Sequence, residues 1–231
     1  MNKQLPVSRS SDATLQVHSV FSTIQGEGPF CGERAIFVRL AGCNLQCPLC
    51  DTEYTEGATT MASGDLAAFV DRLTGTAPGY LVVITGGEPF RQDSLQTLVK
   101  TLLRYNYRVQ IETNGTLYMD LPYEDERLCI VCSPKTGRIN PDLLQHISAL
   151  KYVLRSGHNA DADGLPLTAL DHPAKPRLAR PPKEFPGKVY IQPADENDVE
   201  KNRRNMNAAV DVARRFGYIL QLQIHKIIGV A

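Results

Sequence analysis

The chain has 231 residues, with 25 Lys plus Arg against 25 Asp plus Glu. That length suits one large domain, and the balanced charge removes the basic footprint of a nucleic-acid or anionic-membrane binder. A polar start, Met1 to Asp12, and apolar runs no longer than stretches such as 81–84 exclude a signal core and a membrane span, so a cytoplasmic protein is expected, with neither membrane nor nucleic acid as partner.

In chain order, residues 1–12 read as a flexible tail and 13–231 as a single domain. Short β-rich runs follow at 36–40, 81–85, 109–112, 129–132, 150–154, 189–192 and 220–225, alternating with amphipathic stretches, which is the pattern of an α/β fold with parallel strands. Leu95, Leu98, Val99, Leu102 and Leu103 recur at helical spacing behind Asp93, the expected N-cap, with Gln96 completing a capping box. Met206, Val210, Ala213 and Phe216 repeat that spacing before Gly217, a suitable helix stop. Between 156 and 188, six prolines preclude long regular structure and mark a surface excursion within the domain, either a lid or dimer contact or a passive loop.

The strand-like runs carry polar residues at or near their ends: Arg39, Thr85, Glu112, Ser133, Gln192 and His225. In a parallel sheet or βα barrel the carboxyl ends of the strands gather on one face, where ligands bind. At any one position a polar strand end can simply mark the start of a loop, and the coincidence over several strands favours convergence.

Of six cysteines, Cys43, Cys47 and Cys50 form a C-x3-C-x2-C triplet in a loop behind a strand. Three close thiolates can wrap one soft metal centre, whereas a structural zinc site wants a fourth ligand, and Cys31, Cys129 and Cys132 lie on other segments. Cys129 and Cys132, at i and i+3 on a strand, should point to opposite faces as buried structural thiols, and Cys31 reads as a buried or turn thiol. Thr85-Gly86-Gly87-Glu88-Pro89 follows another strand; two glycines permit close backbone approach and Glu88 is a possible acceptor for an ammonium group. No dinucleotide or P-loop glycine spacing is present.

The cysteine triplet with Gly86-Gly87-Glu88 resembles the radical S-adenosylmethionine superfamily, whose three cysteines hold a 4Fe-4S cluster with one iron open to the cofactor. Residues 21–29 (Phe-Ser-Thr-Ile-Gln-Gly-Glu-Gly-Pro), Phe37 to Cys43, Cys50-Asp51-Thr52, 110–116, Ser133-Pro134-Lys135, Gln192-Pro193 and 223–226 together resemble the 7-carboxy-7-deazaguanine synthase family. The resemblance covers nearly the whole chain apart from the first dozen residues and the proline-rich excursion.

It implies a partial, open or modified βα barrel with the cluster loop at the C-terminal face of the strands. It also implies a lyase reaction in which 6-carboxy-5,6,7,8-tetrahydropterin becomes 7-carboxy-7-deazaguanine with loss of ammonia, on the route to queuosine and other 7-deazapurines, starting with hydrogen abstraction from C6 and regenerating the cofactor. Arg39 then pairs with the substrate carboxylate, as a bidentate guanidinium suits. Ile24, Gln25, Gly26 and Glu27 read the pterin edge, with Thr85, His225 (on the last strand) and the terminal carboxylate of Ala231 also at the substrate. Leu49, Asp51, Gly86, Gly87, Glu88, Ser133, Lys135 and Gln192 hold S-adenosylmethionine; Leu49 stands where many superfamily members have an aromatic residue. Thr52 matches a position that binds Mg2+ beside the substrate carboxylate. A homodimer and a flavodoxin- or ferredoxin-type electron donor complete the implied partners. Two other readings are weighed: a glycyl-radical-enzyme activase, against which 25–28 and Ser133-Pro134-Lys135 speak, and a zinc- or cluster-stabilised binding module, which lacks a fourth ligand.

Overall fold

The computed structural model describes residues 4–8, 13–75, 77–169 and 177–230. Among the described residues nine strands form one sheet: β1 (Thr14–Ile24), β2 (Arg34–Leu40), β3 (Thr59–Ala62), β4 (Leu81–Gly86), β5 (Arg108–Thr113), β6 (Leu128–Cys132), β7 (Ala149–Leu154), β8 (Lys188–Pro193) and β9 (Ile219–Leu220). Their spatial order is β3-β1-β2-β4-β5-β6-β7-β8-β9, antiparallel around β1 and parallel from β2 through β9. The sheet is open, and the expected α/β architecture with a partial, unclosed barrel is what the chain adopts.

The helices are α1 (Ser63–Thr74), α2 (Leu95–Arg104), α3 (Pro141–Leu144), α4 (Val199–Phe216) and α5 (Ile224–Ile228). No helix among the described residues is long and apolar enough to cross a membrane. The predicted apolar stripe of α2 is fully realised: Leu95, Leu98, Val99, Leu102 and Leu103 are buried against Leu66 and Val70 of α1 and Val82, Ile84, Val109 and Ile111 of the sheet. Its start differs from expectation, because Ser94 takes the cap position and no capping side-chain bond forms there. Gln96 instead donates to the Asp120 carbonyl (2.5 Å), so the expected capping box is absent. The deeply buried positions of α4 are Asn205, Ala209 and Val212, one residue off the predicted stripe. Asn205 displaces the pattern because its amide donates to Ala194 O and Glu196 Oε1, both at 3.0 Å, and accepts from Ser156 N at 2.9 Å. Gly217 ends α4 in the left-handed conformation, as its position predicts.

The run at 220–225 departs most from expectation. Only Ile219–Leu220 pairs with β8; the chain then turns into α5, which carries His225. The correction has a visible cause: Gln221 spends its amide on neighbours outside a ladder, accepting from Gly28 N (2.6 Å) and donating to Gln192 Oε1 (2.6 Å).

Side-chain alternation with period two divides the sheet into faces. One face packs α1, α2 and α4 over the main core. The other carries a thinner apolar layer of Ala35, Leu81, Val83, Cys129, Val131, Ala149 and Tyr190. Cys132 lies in the main core and Cys129 in the thinner layer, so the two sulfurs do point to opposite faces. Cys31 is exposed in a turn.

The described part of the proline-rich stretch before β8, 156–169 and 177–187, contains no helix or strand, yet it contributes to the core through buried Leu165, Ala169 and Leu178. Tyr152 donates to Ala179 O (2.8 Å) and Arg180 pairs with Asp163 (2.8 Å) to hold it there. Of the N-terminal tail, residues 4–8 run along the body: Leu5 N donates to Cys43 O at 2.7 Å and Arg91 donates to Pro6 O at 2.6 Å.

Candidate active site

The carboxyl ends of β2, β4, β5, β6, β7 and β8 surround one cavity of about 380 Å³. Period-two alternation explains its lining. Phe37 and Arg39 on β2, Thr85 on β4, Glu112 on β5, Lys151 and Val153 on β7 and Gln192 on β8 project from the thinly covered face, and the register places Arg39 beside Thr85 and Val153 beside Gln192. Ser133 and Lys135 enter from just beyond β6.

The loop after β2 supplies Cys43, Cys47 and Cys50, all lining the cavity together with Leu49, Asp51, Thr52 and Tyr54. Burial pushes the Cys43 thiol up to about 11 against the opposing Leu45 N–H, and burial raises Cys47 and Cys50 as well. Metal binding here therefore releases protons. Leu45 N donates to Cys43 Sγ at 3.4 Å. The loop is anchored from β5: Asn114 Nδ2 donates to Asn44 Oδ1 (2.9 Å) and approaches Cys43 Sγ (3.9 Å), while Asn44 Nδ2 donates to Thr116 Oγ1 (2.8 Å). Among the described residues, no three His, Cys, Asp or Glu side chains gather closely enough for a single ion. A cluster asks for something else, because each thiolate takes a different iron and the sulfurs stand apart around it. Three soft donors in one loop at a cavity wall fit that group.

Gly86 and Gly87 form the cavity edge at the end of β4. Gly87 N and Glu88 N donate to Leu40 O (3.1 Å) and Gly42 O (2.9 Å), and a Cβ on Gly87 would collide with the Gly42 backbone. Glu88 itself is turned away from the cavity. Its carboxyl accepts from Thr113 Oγ1 (2.8 Å), Asn114 N (2.7 Å) and Phe90 N (3.1 Å), and burial pushes it up to about 7.

Of the expected substrate residues, Gln25, Glu27, Arg39, Thr85 and His225 line the cavity, and Ile24 and Gly26 do not. Ile24 ends β1 in the ladder with Arg34. Gly26 serves as a seat: a Cβ there would strike the His225 ring, and Gly26 O accepts from Ile224 N at 3.3 Å. Ala231 lies outside the described residues. Arg39 stacks over Phe21 at 5.4 Å, and its buried Nε has no hydrogen-bond partner among the described residues. Thr52 Oγ1 lies 3.2 Å from Asp51 Oδ1. Lys135 donates to Ser133 Oγ at 2.5 Å, and burial, reinforced by the Lys151 charge, lowers its pKa.

Several lining residues had no place among the sequence-derived candidates. Lys151 pairs with Glu27 and with Glu112 (3.4 Å), and at the mouth Lys226 pairs with Asp195 (2.8 Å) and Arg155 with Glu196 (3.1 Å). A charge inside the otherwise apolar run Ala149-Leu150-Lys151-Tyr152-Val153-Leu154 was the available signal for the first of these. The mouth pairs join segments far apart in sequence and left none.

Comparison with known proteins agrees with this geometry. Residues 38–144, which span the cysteine loop and the Gly86-Gly87 turn, match the radical SAM superfamily. A crystal structure of QueE from Escherichia coli has a TM-score of 0.70 at 23% identity, covering 90% of this chain and 93% of that one, and so shares the fold. Fold, cavity and cysteine loop thus define a radical SAM enzyme. The 7-carboxy-7-deazaguanine synthase of Rhodospirillum rubrum is 44% identical over 94% of this chain and 93% of its own length. That of Rickettsia prowazekii is 40% identical over 96% and 91%. The chain belongs to the 7-carboxy-7-deazaguanine synthase family.

Proposed function

We propose that the chain converts 6-carboxy-5,6,7,8-tetrahydropterin to 7-carboxy-7-deazaguanine with loss of ammonia; the name of its relatives supports the product. The observation that carries this reading is one cavity lined together by Cys43, Cys47 and Cys50, by Arg39 and by the Glu27 and Glu112 carboxylates. Nothing in the site or the comparisons favours an activase of another protein.

Cys43, Cys47 and Cys50 would hold the 4Fe-4S cluster. The Gly86-Gly87 backbone, Ser133, Lys135, Gln192, Leu49 and Asp51 would hold S-adenosylmethionine. When bound and reduced, that pair supplies a 5′-deoxyadenosyl radical able to take hydrogen from carbon. The chain's own residues do the rest. Arg39 binds the substrate carboxylate, and its planar fork fixes the ring's orientation. Gln25, Glu27 and His225 face the pterin, with Thr85 beside Arg39. The side chain of Glu88 acts indirectly, fixing the turn whose backbone meets the cofactor. Thr52 would ligate Mg2+ only with help, because a single neutral hydroxyl is a weak donor to a hard cation and substrate oxygens and water must complete the shell. The enclosing walls keep water from a reactive intermediate. The electron would come from a flavodoxin- or ferredoxin-type donor, and a cytoplasmic homodimer is the working form we propose.

The test is genetic. In a bacterial strain deleted for its own synthase, the chain should restore queuosine in tRNA, read by nucleoside mass spectrometry, and Cys47→Ala should not. Failure of the wild-type chain, expressed with its cluster verified, would refute the reading.

A further inference from the structure

A lysine in the middle of a buried strand has no role in the mechanism so far. Lys151 is 8% exposed and shares its face of β7 with Ala149 and Val153. Its ammonium donates to Glu27 Oε2 and, at 3.4 Å, to Glu112 Oε2. The other two carboxylate oxygens are also held. Glu27 Oε1 accepts from Gln223 Nε2 (2.8 Å), and Glu112 Oε1 accepts from Gln110 Nε2 (3.0 Å) and Gln25 Nε2 (3.3 Å). One buried cation thus faces two carboxylates, so the three groups together carry net negative charge. Burial alone would push the Glu27 carboxyl up; the Lys151 charge and hydrogen bond, with the Gln223 hydrogen bond and the His225 charge, together outweigh it and hold it below the usual carboxylate range.

We propose that Lys151 is a positioning residue for substrate specificity, clamping Glu27 and Glu112 side by side so that the pair accepts from the N–H edge of a 2-aminopyrimidine ring. The inference rests on the proposed function for the ring itself. It adds the residue that makes the wall selective for that edge.

Other charged or titratable groups act on Glu27 and its partner: His225 from α5, Cys31 from the turn after β1, and Asp51 and Lys135 through Lys151. None of them takes the Lys151 position between the two carboxylates. Without that ammonium, burial acts on Glu27 against only the Gln223 hydrogen bond and the His225 charge, so its carboxyl takes up a proton more readily as pH falls and turns from acceptor to donor.

The test measures binding of 7-carboxy-7-deazaguanine, and of its analogue lacking the 2-amino group, to reconstituted holoenzyme. Wild type should prefer the amine-bearing ligand about tenfold or more, with little change between about pH 8 and 6. In Lys151→Met that preference should shrink to about threefold or less, affinity should fall further toward low pH, and KM should rise more than kcat falls. Lys151→Arg, which keeps the charge, should restore the flat pH profile. Equal weakening for both ligands with no pH dependence would overturn the proposal and leave Lys151 a structural residue. Should Lys151→Met fail to fold, Glu112→Gln must itself lose the amine preference; an undiminished preference there overturns the proposal too. If wild type binds neither ligand and makes no product, the proposed function falls with it; a competent wild type matched by its Lys151 variants removes this inference alone.

Discussion

The side-chain amide of Asn114 donates to the Asn44 carbonyl oxygen across 2.9 Å, tying the end of the fifth strand to the loop that carries Cys43. The same nitrogen lies 3.9 Å from Cys43 Sγ, and the Asn114 backbone N–H is held by Glu88 at 2.7 Å. One residue thereby couples three elements of the site.

Asn114→Leu leaves Asn44 and Thr116 with broken partners near the cavity wall. Leaving such groups unsatisfied costs about 1–3 kcal/mol each. The variant should fold, reconstitute less iron, and lose it faster to a chelator; iron and sulfide analysis with a timed chelator challenge measures this. Iron retention equal to wild type would show that the loop holds its shape unaided.

Gly87→Ala tests a different contact. Because a Cβ at that position collides with the Gly42 backbone, either the end of β4 or the base of the cysteine loop must move. The expected cost is about 2–4 kcal/mol in denaturant unfolding. S-adenosylmethionine affinity should fall more than tenfold, by about 1.4 kcal/mol or more.

The fold was legible wherever the pattern is local. Strands β4 to β8 announce themselves as short apolar runs with polar ends, and the cysteine spacing and Gly86-Gly87 turn are contiguous. Strand β1 (Thr14–Ile24) was hidden because its half-buried residues mix polar and apolar types, and β3 is four residues long. His225 closes a run, 220–225, that reads as β-rich; its two glutamines bond across to Gly28, Gln192 and Glu27, and the chain leaves the sheet. Lys151 shows the same limit. Its neighbours read as core, and only the sheet's register brings it between two glutamates from distant segments.

At the mouth, Asp195 should show the pH dependence of its pair with Lys226. The Lys226 hydrogen bond, with the Asn197 N–H and the Asn202 amide, holds the Asp195 carboxyl down at about 2. A carboxyl depressed on folding adds stability that is complete above its unfolded value, about 4, and is lost as pH falls through the folded value. Asp195→Asn should therefore cost about 1 kcal/mol near neutrality after solvent screening. That difference should shrink between about pH 4 and 2 in denaturant titrations. The variant should also raise KM, because Lys226 belongs to the short helix that seats His225.

Cysteine roles separate cleanly. Cys47→Ala removes a cavity-lining thiol and should abolish the visible absorbance of a reconstituted cluster. Cys129→Ala, packed beside Val131, Ala149 and Tyr190, should keep the cluster and lose about 1 kcal/mol of stability. Loss of the cluster in the second variant would contradict the placement of that sulfur.

The proposed ring contraction takes place in this cavity. Its most direct test is an anaerobic reaction of reconstituted protein with S-adenosylmethionine, a strong reductant, Mg2+ and 6-carboxy-5,6,7,8-tetrahydropterin, followed by mass spectrometry. The account predicts 7-carboxy-7-deazaguanine in excess over the S-adenosylmethionine consumed. 5′-Deoxyadenosine without that product, from protein whose cluster has been verified, would contradict it.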